Sequence, residues 1–197
     1  RTLLPESEAM RLLLVEDDTT AFRPAILGVR AATTVVTILL TSAAIASLDY
    51  WVLFWAAIVV TYNMVRIIKP LVIRGDVSGL LRVLGEVIIH VFAVVATGYW
   101  NSPFVFSLLT AIMVAGFARG FAFAVRVWVA STLAVTVPHL ITRGPSEEAL
   151  RTGLQWTTLL LLVAAVAGDA RHIMREADRQ HTVALDRLGR LSDANTL

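Results

Sequence analysis

Six stretches of near-continuous apolar sequence succeed one another between residues 25 and 168, and this constrains the fold more than any other feature of the chain. They run over about 25–47, 48–68, 80–100, 103–118, 121–141 and 149–168. A helix crosses about 30 Å of hydrocarbon with about 20 mainly apolar residues, because each residue advances it by about 1.5 Å. The runs are continuous rather than alternating, which argues against a membrane β-barrel. The connections are short: Leu48, Asp49 and Tyr50 join the first two runs, and Asn101 and Ser102 lead into Pro103, a residue suited to the first turn of a helix. With no large connecting domain, any stimulus has to act within the membrane, at its faces or elsewhere in the protein.

Composition agrees. Hydrophobic residues make up 57% of the 197 and charged residues 16%, against roughly 25% charged in an ordinary soluble domain. This nearly rules out a free cytosolic enzyme and excludes a disordered chain. There are no cysteines, so the chain itself supplies no disulfide, thiol nucleophile, zinc-thiolate site or iron–sulfur cluster. The net charge of +2 gives no argument for a nucleic-acid partner.

The basic residues are unevenly placed. Arg23, Arg30, Arg66, Lys69, Arg74, Arg82, Arg119, Arg126, Arg171, Arg175 and Arg179 fall towards one side of the predicted spans, and only Arg143 and Arg151 towards the other. The positive-inside rule then puts both termini in the cytoplasm of a plasma-membrane protein. Tyr50, Trp51, Trp55, Tyr99, Trp100 and Phe104 gather towards the opposite side, as an interfacial aromatic belt would.

The tail after the sixth run has a different period. Ala170, Met174, Ala177, His181, Ala184, Leu188, Leu191 and Asn195 recur at intervals of 4, 3, 4, 3, 4, 3 and 4, a heptad seam flanked by Arg and Asp. Its alanines make it thin, and His181 and Asn195 place polar groups on it, a pattern suited to a specific but marginal contact. The expected fold is therefore an all-α polytopic bundle of six transmembrane helices continuing into a cytoplasmic coiled-coil helix. Its segments are a cytoplasmic lead-in (1–24), the membrane domain (25–169) and a parallel homodimeric signalling helix (170–197). Arg1 in place of an initiator Met, and a seam running to the end, lead to the expectation of an excerpt from a longer protein. The string 12–18, Leu-Leu-Leu-Val-Glu-Asp-Asp, is like the first strand of a receiver domain, but the membrane segments begin where the rest of that domain would be required.

Six short-looped spans are followed by Gly-Asp-Ala-Arg-His at 168–172, Ala-Asp-Arg-Gln-His at 177–181 and Ala-Leu-Asp-Arg-Leu-Gly-Arg-Leu-Ser-Asp-Ala-Asn at 184–195. Together they resemble the membrane-bound sensor histidine kinases of actinobacteria. The resemblance implies two-component signal transduction. A GAF domain or a phosphoacceptor helix pair would follow downstream, then a kinase domain using ATP and Mg, with a cognate response regulator as partner. The chain itself contains no phosphoacceptor box and no ATP-binding motif, so it receives no catalytic, cofactor-binding or metal-binding residues. His181 lies on the seam, is followed by Thr182 and is not assigned as phosphoacceptor.

Ionisable groups inside a membrane are candidate functional residues by default. Glu86 and His90 lie four apart on one face of the third span. Arg126, at similar depth in the fifth, is a candidate partner of Glu86, since each charge alone would be costly; the alternative is that Arg126 snorkels to the headgroups and Glu86 is interfacial or protonated. Tyr62 and Asn63 could complete a polar pocket or serve as helix–helix glue. His90 and His139 lie on different helices at different depths, a poor arrangement for haem. Gly116, Gly120, Ala164, Ala165 and Gly168 would permit close helix approach, though Ala and Gly are too common here for spacing alone to assign a contact. The alternative to a sensor input domain is a small polytopic transporter or channel subunit with a coiled-coil tail. Clear inverted repeats and paired helix breaks, which would favour it, are absent from the sequence.

Overall fold

A computed structural model describes residues 22–70 and 76–194; for residues 46, 178 and 181–194 it describes the backbone alone. Most of the lead-in and seam position Asn195 lie outside the described residues, as do the side chains of His181, Ala184, Leu188 and Leu191. The described chain is all-helical: α1 (Arg23–Ala46), α2 (Tyr50–Ile68), α3 (Val77–Thr97), a 3-10 turn (Tyr99–Asn101), α4 (Val105–Arg119), α5 (Phe121–Arg143) and α6 (Glu147–Ala194). Five of these, all but α4, are long and apolar enough to cross a membrane.

The helix ends follow local chemistry. Pro24 occupies the first turn of α1, where its missing N–H costs nothing. Asp49 caps α2 by accepting from the backbone N–H groups of Trp51 and Val52 at 3.2 Å each. Asp76 caps α3 through the Gly79 N–H at 2.8 Å, which starts this helix three residues before the apolar run begins. Gly98 ends α3 at φ 139°, a conformation for which a Cβ is unfavourable. Trp100, assigned to a span by its hydropathy, therefore lies in the 3-10 turn instead.

The expected fourth span is a special case. α4 has 15 residues, about 22 Å of rise, which is short of the hydrocarbon thickness. It is also the bundle's core. Twelve of its residues are buried, and it packs against α1, α3, α5 and α6, while α2 lies outside it on α1 and α3. Leu108, Ala111, Ile112 and Ala115 meet Val83, Val94, Val127 and Leu160 in one continuous apolar core. The outer helices present Leu39, Phe54, Phe92, Leu133 and Leu162 outward, all more than half exposed, as a lipid-facing surface requires and a water-facing one does not.

The bundle has two distinct ends. At the aromatic end the Trp51 indole donates to the Ala96 carbonyl at 2.8 Å, Trp100 donates to Thr136 at 3.2 Å, and Gly153 lies against the Trp100 ring. At the arginine end Arg119 donates to the Asp76 carbonyl at 2.6 Å. Here the small residues of α4 and α6 carry real contacts. A Cβ on Gly116 would stand 2.8 Å from the Ala167 Cβ, and one on Gly168 would stand 2.4 Å from the Phe121 Cα. Gly120, at φ 84°, makes the tight turn into α5, and α6 lies directly on that turn.

α6 runs unbroken for 48 residues, about 72 Å, more than twice the hydrocarbon thickness. The expected continuity of the sixth run with the tail is thus present in the backbone. Its first two seam residues, however, are occupied within the chain: Ala170 and Met174 are half-buried against the Phe22, Met113, Phe117 and Ala167 cluster. Ala177 is exposed.

Gly168→Ala is expected to destabilise the purified protein by about 1–3 kcal/mol, because backbone rather than a flexible side chain must move. Gly28→Ala, which meets nothing within 4 Å, is expected to be neutral or slightly stabilising. Thermal unfolding in detergent checks both.

Candidate functional site

Arg30 and the four threonines of α1 face inward. Arg30, Thr33, Thr34, Thr37 and Thr41 are buried, whereas Val35, Ile38, Leu39 and Leu40 are exposed. The threonines satisfy their hydroxyls on the helix itself: Thr34 donates to the Arg30 carbonyl at 2.6 Å, Thr37 to Thr33 at 2.8 Å and Thr41 to Thr37 at 2.8 Å. Thr33 also reaches Thr110 of α4 at 2.7 Å, tying α1 to the central helix.

Arg30, one turn nearer the arginine end, organises the site. It is 2% exposed, and its guanidinium spans two helices. One terminal nitrogen donates to Asn63 Oδ1 on α2 at 3.0 Å, and the other forms a charge-assisted hydrogen bond with the Glu86 carboxylate on α3. The second Glu86 oxygen accepts from the Tyr62 hydroxyl at 3.4 Å. His90 approaches the same turn of α3 through Nδ1, 2.7 Å from the Glu86 carbonyl, and meets the Tyr62 ring edge-on with centroids 5.7 Å apart. The Arg66 guanidinium lies 5.0 Å from the Tyr62 ring centroid, closing the cluster on the arginine side.

Of the residues singled out from sequence, Glu86, His90, Tyr62 and Asn63 come together in this cluster. Arg126 does not join them. Of the two alternatives for Glu86 and Arg126 the pair is not formed: Glu86 pairs with Arg30, and Arg126 stands exposed on α5 at the edge of a groove between α3 and α5. In the sequence Arg30 reads only as a flanking charge that sets orientation. Its signal is the threonine stripe at 33, 34, 37 and 41, which marks the face of α1 turned from lipid. His139 is remote from His90 in environment: its ring stacks on Tyr99 at the aromatic end, centroids 4.9 Å apart and planes 5° apart.

A paired Arg and Glu at membrane depth neutralise each other and fix the mutual rotation of α1, α2 and α3. Three buried donor or acceptor atoms of the cluster, Asn63 Nδ2, Arg66 Nε and His90 Nε2, remain without hydrogen-bond partners among the described residues. The cluster therefore retains hydrogen-bonding capacity in an otherwise apolar bundle, and a change of partner there would bear on three helices together. Among the described residues no group of three or more His, Asp or Glu side chains is arranged to hold a metal ion. No known family matches the chain, and no curated protein or solved structure is detectably similar to it.

A second connection leads from the bundle to the tail. Arg171 of α6, 5% exposed, donates to the Ala118 carbonyl in the last turn of α4. It thus satisfies a carbonyl that the helix end leaves free and places positive charge at the negative end of the helix dipole.

Arg30→Met is expected to cost about 3–5 kcal/mol, since it strands Glu86 as a buried unpaired carboxylate. Arg30→Lys, which keeps the charge but loses the two-armed fork, is expected to cost clearly less. Thermal unfolding in the same detergent measures the order.

Proposed function

We propose that this chain is the membrane input region of a dimeric sensor histidine kinase, and that α6 is its output element. The observation that carries this reading is the continuity of α6 from the aromatic end of the bundle to well beyond the arginine end. Residues 147–168 alone rise about 33 Å, one membrane thickness, and those after Arg171 extend a further ~34 Å. A rod clamped on the α4–α5 turn by Gly116, Gly168 and Arg171 has no flexible joint at which a rearrangement inside the bundle could be absorbed. A shift of helix packing would pass into the tail as rotation or translation, biasing one of two downstream states.

In this reading the arginine end is cytoplasmic, by the positive-inside rule, and both termini lie on that side. All six helices belong to the membrane domain, with the short α4 sheltered by its neighbours. The homodimer contact begins beyond Met174, at Ala177, and runs through His181, Ala184, Leu188, Leu191 and Asn195. The downstream kinase module would bring ATP and Mg, and the response regulator would be its partner. Glu86, Arg30, Tyr62, Asn63 and His90 form the polar element whose rearrangement the stimulus drives.

The buried cluster also favours the second reading, a small transporter or channel subunit, in which Glu86 and His90 would bind the transported ion. Flux across liposomes carrying the purified chain, abolished by Glu86→Gln, would select that reading over the first.

Because the chain lacks cysteine, single replacements are clean reporters. In membranes, Ala184→Cys, Leu188→Cys and Leu191→Cys are expected to crosslink into dimers, and Asp186→Cys and Gly189→Cys to do so weakly. Glu86→Gln is expected to change seam crosslinking at least about two-fold, a population shift worth about 0.4 kcal/mol. Crosslinking without periodicity would contradict the parallel seam, and a periodic pattern indifferent to Glu86 would contradict the coupling.

A further inference from the structure

The outer faces of α3 and α5 enclose a groove of about 550 Å³ that takes no part in the buried polar cluster. Its walls are apolar: Val87, Val91 and Val95 from α3, and Val127, Ala134 and Pro138 from α5. On α3 it extends from Leu84 to Val95, a rise of about 16 Å, or roughly half the hydrocarbon thickness. That is the depth of a single leaflet.

The groove is not apolar throughout. At its arginine end it reaches Arg126, and Arg126 with Phe123 also lines an adjoining pocket of about 380 Å³. Four guanidinium side chains line that pocket, Arg119, Arg126, Arg171 and Arg175, and the other described lining residues are Ala118, Ala122 and Phe123. The Arg119 Nε is buried there and without a hydrogen-bond partner among the described residues. One helical turn and a half along the groove, about 7 Å from Arg126 in rise, the Ser131 hydroxyl is wholly buried and likewise unpartnered.

We propose that this compound site binds one anionic glycerophospholipid, with an acyl chain in the α3–α5 groove and its phosphate among the four arginines. The shape and the charge argue together. An apolar slot one leaflet deep matches an acyl chain, and a cluster of guanidinium groups at its membrane-surface end, Arg119 and Arg126 nearest the groove, matches a phosphodiester. Ser131 lies beneath the charged mouth, where a donor to a glycerol ester carbonyl belongs. Free phosphate would use the basic pocket but leave the groove and Ser131 unused, so the lipid is the occupant that accounts for all three features. The site rests on the membrane-embedded bundle alone. It does not require α6 to be a signalling helix, so its failure and the failure of the input-domain reading are separate outcomes.

The test uses the full chain in phosphatidylcholine nanodiscs containing a minor fraction of phosphatidylglycerol. Retained lipid is counted by native mass spectrometry after release into detergent. One phosphatidylglycerol is expected to be retained selectively. Arg126→Gln, which removes an exposed side chain, is expected to weaken retention about five-fold, the worth of one basic group against an anionic lipid. Arg126→Lys is expected to preserve most of it. Ala134→Phe, which fills the groove from an exposed position, is expected to abolish selective retention without lowering thermal stability. Inorganic phosphate added to pure phosphatidylcholine nanodiscs is expected to leave the melting temperature unchanged. Equal retention by the wild type, Arg126→Gln and Ala134→Phe would mean annular lipid only and overturn the proposal. Stabilisation by inorganic phosphate together with indifference to Ala134→Phe would overturn it in favour of a plain anion pocket.

Discussion

A charged side chain in the middle of an apolar bundle must find an opposite charge, and in this chain that requirement decides how the first three helices face one another. Arg30 lies one to two turns into α1 and Glu86 in the middle of α3. An unpaired charge costs about 2.5–3.5 kcal/mol at the centre of an inserting helix and less nearer its ends, so pairing Glu86 with Arg30 removes a penalty that either would carry alone. Joining them turns the threonine face of α1 inward, and this brings Thr33 to Thr110 and seats α1 on the central helix. Asn63 and Tyr62 then supply the remaining hydrogen bonds from α2, so that one guanidinium and one carboxylate set the rotation of three helices. Hydrophobic burial contributes little to this choice, because lipid is as apolar as the groups it would exchange with.

A different principle holds the other half of the bundle. α4, α5 and α6 meet through close approach rather than charge, with Gly116 and Gly168 letting backbones come where any side chain would collide. Small residues give dispersion contacts their greatest reach, which matters where no hydrophobic drive operates. The two halves join along α4. Its N-terminal half carries Leu108 and Ala111 into the shared core and Thr110 to α1, and its C-terminal end is capped by Arg171 from α6. This leaves the polar cluster at one side of the bundle and the long helix at the other, with the central helix in contact with both.

Much of this was legible in the sequence. Continuous apolar runs bounded by Asp49, Asp76, Gly98, Gly120 and Gly144 mark the helices to within a few residues, since each cap or left-handed glycine has its own local chemistry. Glu86, His90, Tyr62 and Asn63 declare themselves as polar exceptions in apolar surroundings. What the sequence did not disclose depends on rotation and neighbours. Hydropathy does not distinguish a helix facing lipid from one enclosed by other helices, so α4 reads as a short span and not as the core. Periodicity placed Ala170 and Met174 on a dimer seam, but an apolar stripe does not say which surface covers it, and here Phe117 and its neighbours do so first. Sequence does not choose among the arginines as partner of Glu86, since only the packing of α1 against α3 brings Arg30 to it.

The central claim, that Arg30 and Glu86 stabilise the bundle as a pair, is tested most directly by a double-mutant cycle. Unfolding of the wild type, Arg30→Met, Glu86→Met and the double variant would be measured in one detergent. The account predicts a coupling of at least about 2 kcal/mol, with the double variant more stable than either single one, because removing both charges strands neither. The parallel cycle on Glu86 and Arg126 should give a coupling near zero. Additive losses for Arg30 and Glu86, or a larger coupling of Glu86 to Arg126, would contradict the account.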